Sequence, residues 1–378
     1  MNARLRSAAP PSRRVCIVLP FHWSASVGGA EMQVRLLAER LRARGVADLH
    51  LVVRHADPGF VPEGHRLHVL PRRRSLCGTF PLDAPALLAR LDAISPDVVY
   101  QRVACTYTGV AAHWARSRGR RLVWHVCSDD DVAPLPAPLS WRTPLRSLDR
   151  RAIRHGTRHA HRIVVQTRWQ AERLRELHGR GDARVIRNFH PRPAEPPAKP
   201  RDRLVVAWVA NLKPNKRPEL FVRLARDCRD LPGVEFAMIG ALQMDAAEWR
   251  RVRDREGPAP NLHEVGPLSP EAVNEALAAA HLLVNTSVYE GYPNTFIQAW
   301  LREVAVASLR VDPDGVFADA GCGDCAGDDY ARLLAIVRRH ATDAEFRHQR
   351  ARRALAYARE HHSEANADAL ADLLLEDR

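Results

Sequence analysis

The sequence contains few cysteines and no long apolar run. Its 7 cysteines are scattered over 378 residues, and an odd, scattered set favours a reducing compartment over a disulfide framework. No apolar stretch approaches the roughly 18 residues that a membrane-spanning helix needs. The basic N-terminus has only a short apolar part, Val15 to Phe21, which contains Pro20, whereas a signal peptide has a longer apolar core. We therefore expect a cytoplasmic protein that begins with a disordered basic tail at 1–13.

Acidic residues are scarce in the first half of the chain. Residues 1–200 carry 34 Lys and Arg against 16 Asp and Glu, a net charge of +18, whereas residues 201–378 carry 23 against 28, a net charge of −5. A basic half attracts an anionic partner such as nucleic acid, a membrane surface or a phosphorylated substrate. A GC-rich genome that favours arginine explains the same numbers, so both interpretations stay open. Aromatic residues do not interleave with the basic ones as in a base-stacking platform, and we expect no nucleic-acid partner.

Short apolar runs alternate with amphipathic segments along almost the whole chain. This alternation predicts an α/β fold with parallel sheets and helices on both faces of each sheet. The predicted strands lie at 15–20, 49–53, 66–70, 98–100, 122–124, 162–166, 183–186, 204–209, 234–239, 262–265, 281–285 and 304–309. The predicted helices include 30–44, 84–93, 107–118, 168–178, 218–230, 245–255, 270–280, 294–302 and a separate last helix at 363–376.

A proline-rich segment interrupts the alternation. Five prolines fall within residues 190–203, and so many prolines cannot sustain a helix or a central strand. We interpret this segment as a linker between an N-terminal domain at 14–189 and a C-terminal domain at 204–360, with a helix at 361–378 that packs back toward the N-terminal domain. The two halves predict two Rossmann-like, doubly wound domains facing each other across a cleft, where ligands bind at the carboxyl ends of the strands.

Two candidate sites follow predicted strands of the N-terminal half. Gly28 and Gly29 stand just before a helix, where glycines allow close backbone approach of a phosphate or a sugar, although such a pair is also typical of a simple turn. His125 ends a strand and can orient a substrate there, or can be an ordinary hydrogen-bonded structural histidine. The run Asp129–Asp131 is more typical of a solvated loop or helix start than of a metal site, because adjacent residues rarely point at one ion.

Two further candidates follow strands of the C-terminal half. A polar loop after the first strand carries Lys213 and Lys216 before a proline opens the next helix, and a lysine there suits a diphosphate or is simply a solvated surface lysine. In "VNTSVYEGYPNTFIQAW", residues 284–300, Glu290 lies in a turn between a strand and a helix, and Gln298 follows eight residues later. The amides of the helix's first turn suit an anion.

The segment "SVYEGYPNTFIQAW" resembles the signature of retaining glycosyltransferases of the GT-B fold, family 4, also called glycosyltransferase group 1. Gly28–Glu31, the post-linker lysine, the strand-ending histidine and "RVIRNFHP" at 184–191 match the order of that family, over roughly residues 14–375. The resemblance implies a hexosyltransferase-type enzyme that uses a nucleotide-diphosphate sugar and needs no metal or other cofactor. The lone pair Cys322 and Cys325 likewise does not predict zinc, because no second pair accompanies it.

The resemblance also implies roles for individual residues. Lys216 neutralises the donor diphosphate, Glu290 and the turn Gly291–Asn294, with Tyr292, hold the transferred sugar, and backbone amides near Asn294 and Thr295 meet the diphosphate. His125 faces the sugar, and Gly28 and Gly29 line the cleft. Two positions depart from the family pattern: Gln298 stands where a second Glu binds the ribose, and Asn211 stands where an Arg is usual, so that Lys213 becomes the candidate for the second charge. Because Gln298 is neutral, a hydrogen bond that it accepts from the ribose is weaker than the charge-assisted bond that a Glu would accept.

The leading hypothesis is a transferase that adds a sugar to a glycan or lipid-linked acceptor of a bacterial surface polysaccharide or lipopolysaccharide. The arginine-rich segment 140–162, with Trp141, Leu145, Leu148 and Ile153, predicts either a solvated surface helix or a helix lying on an anionic bilayer at the inner face of the cytoplasmic membrane. The alternative is a catalytically degenerate nucleotide-sugar binding protein, which the substitutions at Gln298 and Asn211 motivate.

Overall fold

The computed structural model describes residues 13–25, 28–71, 80–134, 144–195 and 199–376. Most of the tail at 1–13 and part of the 190–203 linker lie outside these residues. The strands are β1 (Val15–Phe21), β2 (Leu49–His55), β3 (Arg66–Val69), β4 (Val98–Arg102), β5 (Arg121–His125), β6 (Arg162–Val165), β7 (Arg184–Val185), β8 (Leu204–Val209), β9 (Val234–Ile239), β10 (Leu262–Gly266), β11 (Leu282–Asn285), β12 (Ala305–Ser308) and β13 (Gly323–Cys325).

Helices follow most of the strands, as the alternation of the sequence predicts. They are α1 (Gly29–Ala43), α2 (Ala84–Ile94), α3 (Thr106–Ser117), α4 (Pro144–His159), α5 (Arg168–His178), α6 (Pro218–Asp227), α7 (Ala246–Glu256), α8 (Pro270–Ala279), α9 (Asn294–Trp300), α10 (Val316–Ala320), α11 (Tyr330–Thr342), α12 (Ala344–His361) and α13 (Glu364–Leu375). Short 3-10 turns lie at Phe80–Asp83, Asp129–Val132, Pro214–Lys216 and Pro313–Gly315.

The strands form two separate sheets with the same winding. The first has the order β3-β2-β1-β4-β5-β6-β7, the second has the order β10-β9-β8-β11-β12-β13, and the neighbouring strands in both are parallel. In each sheet the order reverses beside the strand that comes first in the chain: between β1 and β4, and between β8 and β11. Ligands of doubly wound sheets bind beyond the carboxyl ends of the strands at such a switch point. The predicted α/β, doubly wound fold class is confirmed.

Each sheet is covered with apolar side chains on both faces. In β1, Cys16 and Val18 pack in one hydrophobic cluster with residues of α2 and α3, whereas Val15, Ile17 and Leu19 pack in another with residues of α1. This division follows the two-residue period of a strand. In the second sheet, β8 divides in the same way between clusters that contain α6 and α11 on one face and α8, α9 and α12 on the other.

The chain divides into two compact units. The N-terminal unit comprises Met1–Ile186 and Ala367–Arg378, and the C-terminal unit comprises Arg187–Asn366. The break falls three residues before the predicted boundary at 189. The reason lies in the hydrogen bonds of the intervening residues: the side-chain amide of Asn188 donates to the carbonyl of Tyr292 at 3.1 Å, and Nε2 of His190 contacts Oδ1 of Asn294 at 3.2 Å.

The last helix completes the core of the N-terminal unit. In α13, Leu370, Leu373 and Leu374 are buried in the same cluster as the apolar residues of α1. Nε of Arg40 on α1 donates to Asp368 at 2.8 Å, which adds a half-exposed ion pair beside the apolar contact. Because α13 supplies side chains to this core, the N-terminal unit needs the far end of the chain to complete its folding.

Helices α3 and α4 cross with their backbones in close contact. A Cβ atom at Gly109 would lie 2.3 Å from the carbonyl oxygen of Ala152, and one at Gly156 would lie 2.7 Å from the backbone of Thr108. Only glycine leaves enough room at these two positions. One face of α4 is therefore committed to the fold of the N-terminal unit.

Candidate functional site

The switch point of the second sheet brings Lys216 and Glu290 together. Lys216 ends the 3-10 turn in the loop after β8, and Glu290 lies in the loop after β11. Their side chains form an ion pair in which Lys216 is 19% exposed and Glu290 is 20% exposed. The hydroxyl of Ser287 donates to Oε1 of the same carboxylate at 2.7 Å. A cation and an acid thus stand side by side, partly open to solvent, where doubly wound sheets bind ligands.

Hydrogen bonds fix the two loops relative to each other. The hydroxyl of Thr286 donates to the carbonyl of Lys216 at 2.6 Å, and the amide of Val288 donates to the carbonyl of Asn215 at 2.9 Å. Thr286 in turn accepts a hydrogen bond from the indole of the buried Trp208 at 2.9 Å. The ion pair is therefore held by a preorganised backbone, as an electrostatic site requires.

Two predicted donor-binding side chains are engaged within the C-terminal unit. Gln298 is only 7% exposed, and its amide donates to Oδ1 of Asn274 on α8 at 3.0 Å. Oδ1 of Asn211 accepts the amide of Ala241 at 3.3 Å and so ties the loop after β8 to the loop after β9. Lys213, in contrast, is exposed. Asn274 is a neighbour that the sequence does not reveal, because it lies on a different helix.

In the turn before α9, the side chain of Tyr292 is buried in the core, whereas Asn294 and Thr295 are only half-buried. The ring of Tyr292 is 3% exposed and packs against His362 and Trp300 in the apolar core, so burial raises the pKa of its hydroxyl well above the usual value. The ring of Tyr292 is thus withdrawn from contact with a ligand. Gly291 is buried beside it, and the half-buried Asn294 and Thr295 begin α9. The first amides of a helix have no carbonyl acceptor within that helix.

His125 belongs to a buried polar group in the N-terminal unit. Its Nδ1 lies 2.8 Å from the hydroxyl of Tyr100 and 3.2 Å from a guanidinium nitrogen of Arg102, which also donates to that hydroxyl at 3.2 Å. Arg102 offers donors only, so Tyr100 accepts from Arg102 and donates to Nδ1. Burial, reinforced by the charge of Arg102, lowers the pKa of His125 well below its ordinary value.

The protonation of His125 follows from these contacts. Because Nδ1 is an acceptor and the ring is neutral, the proton resides on Nε2. Nε2 is buried and has no hydrogen-bond partner among the described residues. The structure thus contains a neutral histidine with one N–H directed away from its own network. Its supporting pair, Tyr100 and Arg102, was not predicted from the sequence; the two residues end the strand β4 after its apolar residues.

Gly28 caps the amino end of α1 with an extended backbone, not a left-handed one. An oxygen of the Glu31 carboxylate lies 2.2 Å from where a Cβ of residue 28 would be, so a side chain at this position would displace the end of the Glu31 side chain. Glu31 is 9% exposed, and Gly29 is exposed. A carboxylate therefore already occupies the amino end of α1, which makes this end less suitable for a phosphate than the bare sequence pattern predicts.

The other polar residues considered in the sequence, Asp129–Asp131, Cys322 and Cys325, lie in surroundings typical of structural residues. Asp129–Asp131 begin a 3-10 turn, where Asp131 accepts the amide of Cys127 at 2.8 Å. Cys322 and Cys325 are free thiols whose pKa values burial raises. In the part of the chain that the structure describes, no three His, Cys, Asp or Glu residues are grouped as metal ligands. Within the same part, no helix has the length and apolar character to span a bilayer.

Comparison with protein families gives two consecutive matches. A model described as "Glycosyl transferase 4-like domain" matches residues 28–188, and a model described as "Glycosyl transferases group 1" matches residues 203–339. Together they cover most of the chain and contain every candidate residue discussed above. No curated protein sequence matches the chain significantly.

Solved structures of similar fold include several glycosyltransferases. WaaG, a glycosyltransferase involved in lipopolysaccharide biosynthesis, has a TM-score of 0.77 at 16% identity, with 96% of this chain and 100% of WaaG covered. Sucrose-phosphate synthase from Thermosynechococcus elongatus has a TM-score of 0.76 at 16% identity, over 96% and 98% of the two chains. HepE of Anabaena, solved with UDP-glucose, has a TM-score of 0.74 at 16% identity, over 96% and 99%.

Proposed function

We propose a specific reaction for this chain, which belongs to the group 1, family 4 glycosyltransferases and has their GT-B fold. The enzyme moves a sugar from a nucleotide-diphosphate sugar to a glycan or lipid-linked acceptor, with retention of the anomeric configuration. The observation that carries this proposal is the pair of Lys216 and Glu290 at the switch point of the second sheet. HepE, of similar fold, is solved with UDP-glucose, which supports a donor of this class.

The two charges suit the two partners that separate during glycosyl transfer. Lys216 stabilises the departing diphosphate, and the backbone amides at Asn294 and Thr295 add hydrogen bonds to it. Glu290 accepts a hydroxyl of the sugar, with its carboxylate oriented by Ser287. In the structure Lys216 is paired with Glu290, so donor binding places the diphosphate against a lysine that must share its charge between two anions.

The family resemblance assigns His125 to the transferred sugar, and we propose this role for it although it is buried within the N-terminal unit. Its Nε2–H is free of the Tyr100 and Arg102 network, and its low pKa keeps the ring uncharged at neutral pH. A neutral donor orients a sugar hydroxyl without adding a positive charge beside a sugar that itself becomes positively charged. We propose that the acceptor hydroxyl attacks from the same face as the departing diphosphate, without a covalent intermediate, as the family pattern implies.

The proposed reaction requires no metal ion. The charge that a metal would neutralise on the diphosphate is instead met by Lys216, by the exposed Lys213 and by helix amides. We expect the rate of transfer to be unchanged by EDTA. A rate that falls with EDTA and returns with Mg²⁺ would contradict this part of the proposal.

We further propose that the acceptor belongs to a bacterial surface polysaccharide or lipopolysaccharide. WaaG, of similar fold, acts in lipopolysaccharide biosynthesis, and the first half of the chain is strongly basic. Within the segment 140–162, α4 presents Leu148, which is 47% exposed, whereas Trp141 and the side chain of Leu145 lie outside the described residues. A peripheral contact of α4 with the inner face of the cytoplasmic membrane would therefore be mainly electrostatic and sensitive to salt.

The second candidate function is nucleotide-sugar binding without turnover. It is favoured by Gln298, whose amide is bound to Asn274, and by Asn211, whose oxygen is used within the loop. Neither residue supplies the charge that the family pattern has at its position. Restoration of activity by Gln298→Glu in a parent without activity would support this reading.

A panel of nucleotide-sugars with the full-length protein separates the two functions. The measured quantity is nucleoside diphosphate release, with and without a membrane extract as acceptor. We expect release from one donor, accelerated by the extract. Binding of a donor without release under both conditions would contradict the transferase proposal and favour the degenerate protein.

A further inference from the structure

We propose that the C-terminal unit binds a phosphorylated small molecule in a cavity at the amino-terminal edge of its sheet. The cavity has a volume of about 1050 Å³, and the residues that line it precede or begin β8, β9, β11 and β12, or belong to the end of α11 and the first half of α12. Lys216 and Glu290 follow the carboxyl ends of the same strands. Since β8 has 6 residues, the two edges are separated by roughly 20 Å of strand. The cavity is thus a different place from the proposed donor site.

Cationic side chains dominate the lining of this cavity. They come from Lys199, Arg201, Arg203, Arg347 and Arg352. The lining includes two carboxylates, Asp202 and Glu303. A general excess of arginine does not explain this concentration, because residues 201–378 as a whole have a net charge of −5. Positive charge is therefore concentrated at this cavity, although this half of the chain has a negative net charge.

The arginines of the cavity differ in whether a carboxylate of the protein already pairs with them. Arg203 pairs with Glu235 at 3.4 Å, and Arg352 pairs with Glu345 at 3.1 Å. Arg347 is half-buried and donates to a backbone carbonyl, and no carboxylate pairs with it among the described ion pairs. Its Nε is buried and lacks a hydrogen-bond partner in the described part of the chain. A buried guanidinium donor without an acceptor is what a bound anion would satisfy.

Burial lowers the pKa values of two groups that line the cavity, and nearby positive charges lower them further. Lys199 donates to the carbonyls of Ala280 and Arg302, at the ends of α8 and α9, and burial lowers the pKa of its ammonium to about 8. Burial, together with the charges of Lys199 and Arg347, lowers the pKa of His281 to about 4, so this ring is neutral. Lys199 and His281 thus lie in a poorly solvated space near further cations, where a bound anion would be stabilised.

The ligand that fits is a phosphate ester with more than one negative charge. Arginine forks bind phosphate oxygens in pairs, and the arginines of the cavity come from both the segment before β8 and α12. The volume exceeds that of a free phosphate ion and lies at the upper end of small-molecule sites. A phosphorylated metabolite meets both conditions, and an anionic lipid headgroup offers the same phosphate chemistry from a membrane.

The test uses inorganic tripolyphosphate, which carries no base and no sugar, titrated calorimetrically into the full-length protein at low salt. Lys216→Ala disables the proposed donor site, and we expect it to retain tripolyphosphate binding. Arg201→Glu and Arg347→Gln should each weaken this binding at least tenfold. Arg201 is exposed, so its substitution leaves the fold intact even if Arg347→Gln does not. Arg359→Glu, an exposed charge reversal on α12 outside the cavity, is the matched control and should bind like the parent.

The outcomes separate this site from the donor site and from general electrostatics. Loss of all tripolyphosphate binding in Lys216→Ala, with Arg201→Glu unaffected, would overturn the proposal. Equal weakening by Arg201→Glu and Arg359→Glu would overturn it as well, because the effect would then be one of net charge. Flotation with phosphatidylglycerol vesicles identifies the source of the phosphate: vesicle binding that Arg201→Glu abolishes indicates a lipid headgroup, and tripolyphosphate binding without vesicle binding indicates a soluble metabolite.

Discussion

Replacing Glu290 by Gln should tighten the binding of a nucleoside diphosphate and slow the transfer of the sugar. In the structure the Glu290 carboxylate already holds the ammonium of Lys216. A diphosphate that binds Lys216 must therefore compete with this carboxylate and approach it closely. The neutral amide of Gln removes both effects while keeping the shape of the side chain.

The size of the effect follows from the geometry of the pair. The ammonium of Lys216 contacts the Glu290 carboxylate on one side and the bound phosphate on the other. Two successive hydrogen bonds therefore place the carboxylate and the phosphate roughly 6 Å apart. At that distance two unit charges repel by about 3 kcal/mol at an effective dielectric constant of about 20, and by about 0.7 kcal/mol in water. Because Lys216 and Glu290 are 19% and 20% exposed, we expect about 1 kcal/mol, which is roughly a fivefold gain in affinity.

Calorimetric titration of the nucleoside diphosphate into the parent, Glu290→Gln and a control variant measures this change. The control is Asp254→Asn, which removes one exposed carboxylate from α7 outside the site. The rate of transfer should fall at least tenfold in Glu290→Gln, since the developing positive charge on the sugar loses its carboxylate. Weaker diphosphate binding in Glu290→Gln would show that Glu290 supports the diphosphate and does not compete with it.

Three further predictions concern stability. Burial lowers the pKa of His190 to about 4 and that of His362 to about 3, so the unfolded chain takes up protons first as the pH falls below about 6.5; the melting temperature should hold above pH 7 and drop steadily toward pH 4, and a flat profile would contradict this. Leu370→Ala, at a side chain 3% exposed in α13, should cost about 2–4 kcal/mol in the unfolding of the N-terminal unit, measured by denaturant titration; a cost below about 1 kcal/mol would show that α13 is dispensable. Gly28→Ala should destabilise by about 1 kcal/mol or less in denaturant titration, because the atom nearest its Cβ, at 2.2 Å, is the flexible end of the Glu31 side chain; a cost above about 3 kcal/mol would show that this carboxylate cannot shift.

The sequence predicts the sheets well where apolar runs are long and the intervening helices are amphipathic. The strand β13, Gly323–Cys325, was not predicted, because three residues without an apolar period resemble a loop. The separate last helix that the sequence predicts at 363–376 is α13, and it follows α11 and α12 after short breaks at Asp343 and at 362–363. The local sequence pattern thus predicts the sheets and the helices that cover them, whereas the ends of these elements and very short strands depend on packing.

For the candidate site, the sequence likewise predicts local positions but not the contacts between distant residues. The loops that carry Lys216 and Glu290 were predicted from their places after strands, but the pairing of the two side chains depends on contacts 74 residues apart in sequence. The aromatic ring of Tyr292 belongs to the core, because it packs on residues of α9 and of the segment after α12. Asn274, the partner of Gln298, lies 24 residues away on another helix. Such partners are set by the tertiary fold, and no local spacing predicts them.

A single-turnover measurement tests whether Lys216 stabilises the diphosphate leaving group. The parent, Lys216→Ala and Arg251→Ala are mixed with the donor that the parent uses, and nucleoside diphosphate release is followed over time. Arg251 is an exposed cation on α7 outside the site and serves as the matched loss of one charge. We predict that Lys216→Ala slows release at least a hundredfold, equivalent to about 2.7 kcal/mol of transition-state stabilisation, while Arg251→Ala matches the parent. Release from folded Lys216→Ala at the rate of the parent would contradict the account.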